Sequence, residues 1–201
     1  MTNFLKKVFE FYFKCFGYYK LNTNSFISEH YRSLKLQDDR FKKIELESKD
    51  IILFQKKKLS ENYLSIVAER LKKNSGFVGF AYVNKENSDL AYSCWINLSS
   101  GYFVTELNRR IDYGINAVLF EDDQVYEPYF RLGLHQSMMI ERILYSQKYN
   151  YKDIFIVIHC RNTPALNTIK KFNFKRINLV PVYYRRGSFS YTLSKIRKLI
   201  K

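Results

Sequence analysis

The sequence predicts an α/β protein, a mixed sheet flanked by helices, and three observations carry that prediction. The apolar period alternates along the chain between that of a strand and that of a helix. Two apolar runs, 77–83 and 90–96, are joined by the turn-forming stretch 84–89 and read as a hairpin. Residues 117–174 then run strand, glycine turn, helix, strand, helix. Such a crossover should be right-handed with parallel strands.

In order, residues 1–20 place Phe4, Leu5, Val8, Phe9, Tyr12, Phe13 and Phe16 at helical spacing, with Lys6, Lys7 and Lys14 largely elsewhere. The spacing predicts a basic amphipathic helix with an aromatic face. That face docks on the domain, on a second copy in a homodimer, or in a membrane interface. Residues 21–50 are polar and read as a connector. Residues 51–54 read as a short strand. Residues 59–73 read as a helix capped by Ser60, with Leu64, Val67, Ala68 and Leu71 inward. Residues 104–113 read as helical and 176–184 as the last strand. Residues 190–201 set Leu193, Ile196, Leu199 and Ile200 against Lys195, Arg197, Lys198 and Lys201, a second basic amphipathic helix. The domain boundaries are therefore 1–48 for the N-terminal helix and connector, 49–187 for the central domain and 188–201 for the C-terminal helix.

In the central stretch, 117–120 is an apolar strand entering an acidic turn, 121–128. Arg131 and Gly133 precede a helix with Leu134, Met138, Ile140, Ile143 and Leu144 at its apolar positions. A glycine at the start of a helix admits close approach to backbone N–H groups, and the positive dipole end suits a phosphate. The β-branched run 154–158 reads as a buried strand, and 164–172 as the closing helix.

A length of 201 residues with 46% hydrophobic side chains suits one domain with an extension. Seven glycines and three prolines exclude a low-complexity chain. No apolar run is long enough for a transmembrane helix, and no cleavable leader stands out, so the cytoplasm is the expected compartment. Cys15, Cys94 and Cys160 read as small buried apolar residues. With His30, His135 and His159 they form no ligand spacing, so neither a metal nor a disulfide framework is expected. The net charge of +15 favours anionic partners: coenzyme A phosphates, nucleotide-linked substrates or anionic lipid. Nucleic acid is not expected, because no recognition signature appears and the aromatics fall largely on core positions.

The motifs resemble those of the GNAT N-acetyltransferase superfamily over residues 50–185. Phe130-Arg131-Leu132-Gly133-Leu134-His135 stands where the family has Arg/Gln-x-x-Gly-x-Gly/Ala. Asn162-Thr163-Pro164-Ala165, followed by Lys171, Asn173 and Phe174, stands where it has Asn-x-x-Ala and then Lys-x-Gly-Phe. The His after the glycine is similar to members from bacterial surface-polysaccharide gene clusters. The resemblance implies a GNAT-like central sheet of six to seven strands. It also implies acetyl transfer from acetyl-CoA as co-substrate, without a metal, to a primary amine. An amino sugar of a polysaccharide biosynthesis pathway is the first acceptor it suggests, and a peptide amine the next.

The implied cofactor-binding residues are Val125, Tyr126, Arg131, Leu132, Gly133, Leu134, His135, Asn162 and Ala165. A backbone N–H near Val125 or Tyr126 would serve the oxyanion. Glu121, then Asp123, would take the amine proton, the two sharing one strand face with Asp122 opposite. His135 contacts the pyrophosphate or packs. The family's tyrosine acid falls on Ile169, so Tyr184 is the candidate replacement. Asn173 replaces a family glycine and tolerates the same left-handed backbone. The alternative reading is a GNAT-like scaffold without catalysis, acting at a membrane surface or in a complex.

Overall fold

The computed structural model describes residues 13–99, 101–104, 109–185 and 189–192. In chain order its elements are β1 (Phe13–Asn22), β2 (Phe41–Glu45), α1 (Ile51–Gln55), α2 (Glu61–Arg70), β3 (Phe77–Asn84), β4 (Leu90–Asn97), β5 (Tyr102–Val104), β6 (Arg109–Ile111), β7 (Ala117–Val125), α3 (Leu134–Lys148), β8 (Asp153–His159), α4 (Thr163–Lys171), β9 (Lys175–Arg185) and β10 (Phe189–Thr192). The fold is mixed α/β, as expected. The chain divides into two compact units, residues 22–99 with 116–154, and residues 1–21 with 100–115 and 155–201.

The unit of 22–99 and 116–154 holds four strands in the order β7-β4-β3-β2, each pair antiparallel. Alternation along β3 sends Ala81 to one face and Phe80 and Tyr82 to the other. On the first face Leu46, Phe54, Val67, Leu71, Ala81, Leu90, Trp95 and Tyr126 form one buried cluster, which brings in α1 and α2. On the second, α3 packs: Tyr145 meets Phe80 edge-on with centroids 5.3 Å apart. Ser137 meets the Tyr82 hydroxyl at 2.9 Å.

The Ser60 cap is as expected, its hydroxyl accepting from the Tyr63 N–H at 3.3 Å. Val67 is fully buried, whereas Ala68 lies exposed, one position off the inward stripe. Residues 51–54 are helical, not a strand. Glu47 and Asp50 form a capping box that starts the turn, and only Phe54 is then buried while Ile52 is exposed. Four apolar residues carry no period of their own, so the cap decides. Residues 41–45, expected in the connector, form the strand beside β3.

The other unit orders its strands β10-β9-β1-β8. Residues 13–20, expected in the N-terminal helix, are strand β1, antiparallel to β9 from Phe13↔Tyr183 to Lys20↔Lys175. Phe16 and Tyr18 are buried, and strand pairing of aromatic residues outweighs the helical spacing there. Residues 1–12 lie outside those described. Residues 102–104 and 109–111 form an antiparallel pair, β5 with β6, not the helix expected over 104–113; Val104 and Ile111 are buried. Of the expected C-terminal helix, residues 190–192 are in β10, paired with β9, and 193–201 lie outside the described residues.

Only Cys94 is buried as expected; Cys15 and Cys160 are half-buried. The Cys160 N–H donates to the Cys15 carbonyl at 2.8 Å. Burial, then the neighbouring Cys15 side chain, pushes the Cys160 thiol up to about 11, the opposite of an activated thiolate. Among the described residues no helix is long and apolar enough to cross a membrane, and no three His, Cys, Asp or Glu side chains gather as a metal site needs.

Candidate functional site

Strand β7 does not alternate cleanly. It pairs with β4 as Trp95↔Glu121 and then Ser93↔Gln124, so Asp122 and Asp123 together oppose Cys94. Asp122 takes a left-handed φ of 56°. This is a β-bulge, and it re-aims the side chains that follow. Glu121 and Asp122 both turn to α2. Arg70 lies 3.5 Å from the Glu121 carboxylate and 2.6 Å from that of Asp122. The Tyr63 hydroxyl donates to Asp122 at 3.0 Å. Asp123 turns to α3 instead. The expected arrangement, Glu121 and Asp123 on one face with Asp122 opposite, is therefore corrected. The extra residue at the bulge shifts the period by one.

Around Asp123 the interior is unusually polar. Arg142 of α3 has no exposed surface, and its Nη2 donates to Asp123 at 2.5 Å. The Tyr92 hydroxyl also donates to Asp123. The guanidinium lies 4.4 Å over the Phe120 ring. Burial acts to lower the Arg142 pKa, but Asp123 first, with Cys94 and Tyr92, brings it above its ordinary value. Burial first, and Asp123 second, hold the Tyr92 phenol well above its ordinary range. Burial also pushes the Cys94 thiol up to about 12. His135 Nε2 lies 3.5 Å from Asp123 and has no hydrogen-bond partner.

Burial lowers the His135 pKa, Arg142 adds to that, and Asp123 opposes it. The imidazole is neutral at pH 7. Its folded pKa lies below the ordinary 6.5, so the unfolded chain binds the proton more readily between the two values. Stability should therefore fall as pH drops below 6.5 toward the folded value. A His135→Asn variant should show a flatter Tm against pH from 7 to 5. Each kcal/mol is about 2–4 °C in a chain of this size. An unchanged slope would assign the acid lability elsewhere.

The glycine turn is built as its sequence suggests. Gly133 caps α3 with φ 76°, and Arg131 before it is also left-handed, at 65°. A Cβ added at Gly133 would meet no atom within 4 Å. Arg131 and Leu132 are exposed while Leu134 is buried and His135 half-buried. The direction in which a Cβ would grow from Gly133 is thus open, and the exposed Arg131 stands two residues before it at the start of α3.

Tyr126 is corrected. Its ring is in the α1–α2 cluster, its hydroxyl meets Ser93 at 3.0 Å, and its N–H donates to the Ala91 carbonyl at 3.0 Å. It has no N–H to give an oxyanion, which leaves Val125, half-buried at the end of β7.

In the other unit, Asn162 caps α4, its Oδ1 accepting from the Ala165 N–H at 3.2 Å, and Ala165 is half-buried. Ile169 is buried, and Asn173 is left-handed at 59° as expected. Tyr184 pairs with Ser190 through β9; its side chain lies outside those described.

Sequence reasoning missed Tyr63, Arg70, Tyr92 and Arg142. One signal was available. Arg142 falls four residues after Met138 and one before Ile143, on the apolar stripe of α3, and a charge there implies a buried partner.

No protein-family model matches the chain. Over 72 residues, 35% of the chain, it is 31% identical to an N-alpha-acetyltransferase of Sulfolobus acidocaldarius. Over 73 residues it is 30% identical to that of Saccharolobus solfataricus. The matched stretches span 42% and 43% of those relatives' own length. Among solved structures, a tandem GNAT protein from the clavulanic acid biosynthesis pathway matches with TM-score 0.61 at 8% identity, over 87% of this chain and 55% of that one. A GCN5-related N-acetyltransferase-like protein from Streptococcus suis 89/1591 matches with TM-score 0.60 at 12% identity, over 92% and 67%.

Proposed function

We propose, for a chain whose fold is that of the GNAT N-acetyltransferases, that it transfers an acetyl group from acetyl-CoA to a primary amine. The turn at Gly133 carries this reading. Left-handed backbone, an open Cβ direction and the start of α3 together suit a pyrophosphate, and exposed Arg131 adds charge complementarity. Leu132, Leu134 and His135 support the turn, and Asn162 and Ala165 support the start of α4. When bound, acetyl-CoA supplies a thioester already activated for acyl transfer.

The chain's own residues divide the remaining work. The Val125 N–H faces the developing oxyanion. Glu121 accepts the amine proton, with Arg70 at 3.5 Å orienting its carboxylate. Asp123, committed to Arg142 and Tyr92, is a structural anchor rather than a base. Tyr184 is the candidate to protonate the departing thiolate. Glu121→Gln should lower kcat by about 10²–10⁴ while leaving the KM for acetyl-CoA near wild type. A full-rate variant would remove Glu121 from the reaction.

For the acceptor, the relatives named N-alpha-acetyltransferase favour the α-amine of a polypeptide. An amino sugar is the second reading; a glucosamine N-acetyltransferase region of a fungal β-N-acetylglucosaminidase has a similar fold, with TM-score 0.59 at 7% identity. The test is thiol release from acetyl-CoA with short peptides of free N-terminus and, separately, with glucosamine and nucleotide-linked amino sugars. Turnover with peptides alone supports the first reading, and with sugars alone the second. Acetyl-CoA binding without turnover on either would favour the non-catalytic scaffold.

A further inference from the structure

The charge of this protein is unevenly placed. The two units hold equal numbers of basic residues, 17 Lys and Arg each. The acids divide differently. The unit of 22–99 and 116–154 has 16 Asp and Glu. The unit of 1–21, 100–115 and 155–201 has three: Glu10, Glu106 and Asp112. The second therefore carries +14 of the +15. That unit has 84 residues against 117 in the other, so it is both richer in Lys and Arg and, more sharply, poorer in carboxylates. Such asymmetry points to an anionic partner.

The described residues give the surface a position. Lys170 and Lys171 close α4. Lys175 and Arg176 follow at the start of β9, and all four are exposed. Register brings Lys20 opposite Lys175 and Tyr19 opposite Arg176. Asp112 is the one carboxylate among the unit's described residues, and it accepts from the Gly114 N–H of its own turn. On the same strand as Lys175 and Arg176, Ile177 and Leu179 are 50% and 44% exposed.

Those two side chains decide the class of partner. Single-stranded nucleic acid binds basic grooves that also offer aromatic rings for base stacking. Here the exposed apolar groups on β9, Ile177 and Leu179, are aliphatic, and the one ring that register sets opposite the cations beside them, Tyr19, is half-buried. Basic residues with aliphatic groups between them suit an anionic bilayer surface, where each Lys or Arg contributes electrostatically and the aliphatic groups enter the headgroup boundary. We propose that α4 and β9, through Lys170, Lys171, Lys175, Arg176, Ile177 and Leu179, form a docking surface for an anionic lipid bilayer. The contact differs from the one expected of residues 1–20, of which 13–20 are strand β1.

The test is co-sedimentation of the full chain with phosphatidylcholine vesicles, with and without phosphatidylserine. Single-stranded RNA is measured at the same salt. The expected result is binding that requires phosphatidylserine. Lys170→Gln, Lys171→Gln, Lys175→Gln and Arg176→Gln together should weaken it at least about a hundredfold. An Ile177→Ser, Leu179→Ser variant should weaken vesicle binding and leave any RNA binding unchanged. Equal binding to neutral vesicles, wild-type binding by the quadruple variant, or RNA held at salt that strips the vesicles would each overturn the proposal. If the quadruple variant unfolds, the serine pair decides alone. Acetyl-CoA titration of the wild-type chain reads the turn at Gly133 whatever the vesicles show, so failure of either reading is separately visible.

Discussion

Gly133→Trp is expected to abolish acetyl-CoA binding, a loss of at least about a hundredfold by calorimetric titration, using desulfo-CoA as the unreactive analogue. A Cβ at this position meets nothing within 4 Å, so an indole would grow into the space assigned to the pyrophosphate. Gly133→Ala separates the two costs of losing the glycine. It imposes the left-handed strain of φ 76°, of order 1–2 kcal/mol, but fills little space. Alanine that retains most binding, beside tryptophan that loses it, locates the anion at Gly133. Tryptophan that binds like wild type sinks the acyl-CoA assignment.

Arg142→Met is expected to cost about 2–3 kcal/mol of stability, because it takes the charged hydrogen bond from the half-buried Asp123. Chemical denaturation of the variant measures it. Arg142→Met combined with Asp123→Asn should recover much of the loss, since a buried pair replaced as a whole costs less than one broken. The Tyr92 hydroxyl keeps a partner in the double variant. A single variant as stable as wild type would mean that water, not Arg142, satisfies Asp123. A double variant no better than the single would place the loss in the packing of Arg142 on Phe120.

Features set by neighbouring residues could be read from the chain. The Ser60 and Asn162 caps depend on one side chain and the N–H groups beside it. Left-handed Gly133 and Asn173 follow from residue type and position before or after a helix. The hairpin of β3 and β4 follows from its period and its turn. The rest depended on partners distant in sequence. The bulge at Asp122 is set by the register of β7 on β4 and by what Arg70 and Arg142 each attract, so local alternation placed Asp123 on the wrong face. Phe13 and Phe16 are spaced for a helix and Phe16 and Tyr18 for a strand, and only β9 decides between them. Residues 104–113 failed for the same reason: their helical spacing yields to the pairing of β5 with β6.

The placement of β1 also affects when the protein can fold. Its partners on β9 lie 155 residues away at Lys20↔Lys175 and 170 at Phe13↔Tyr183, and it stands between β8 and β9. Closing such long loops costs entropy before any contact repays it. On the ribosome, residues 22–154 can pair β2, β3, β4 and β7 as they emerge. Phe13–Asn22 must wait for the other end of the chain. Until then it is an aromatic strand with unmet hydrogen bonds, open to chaperones and to the wrong partner.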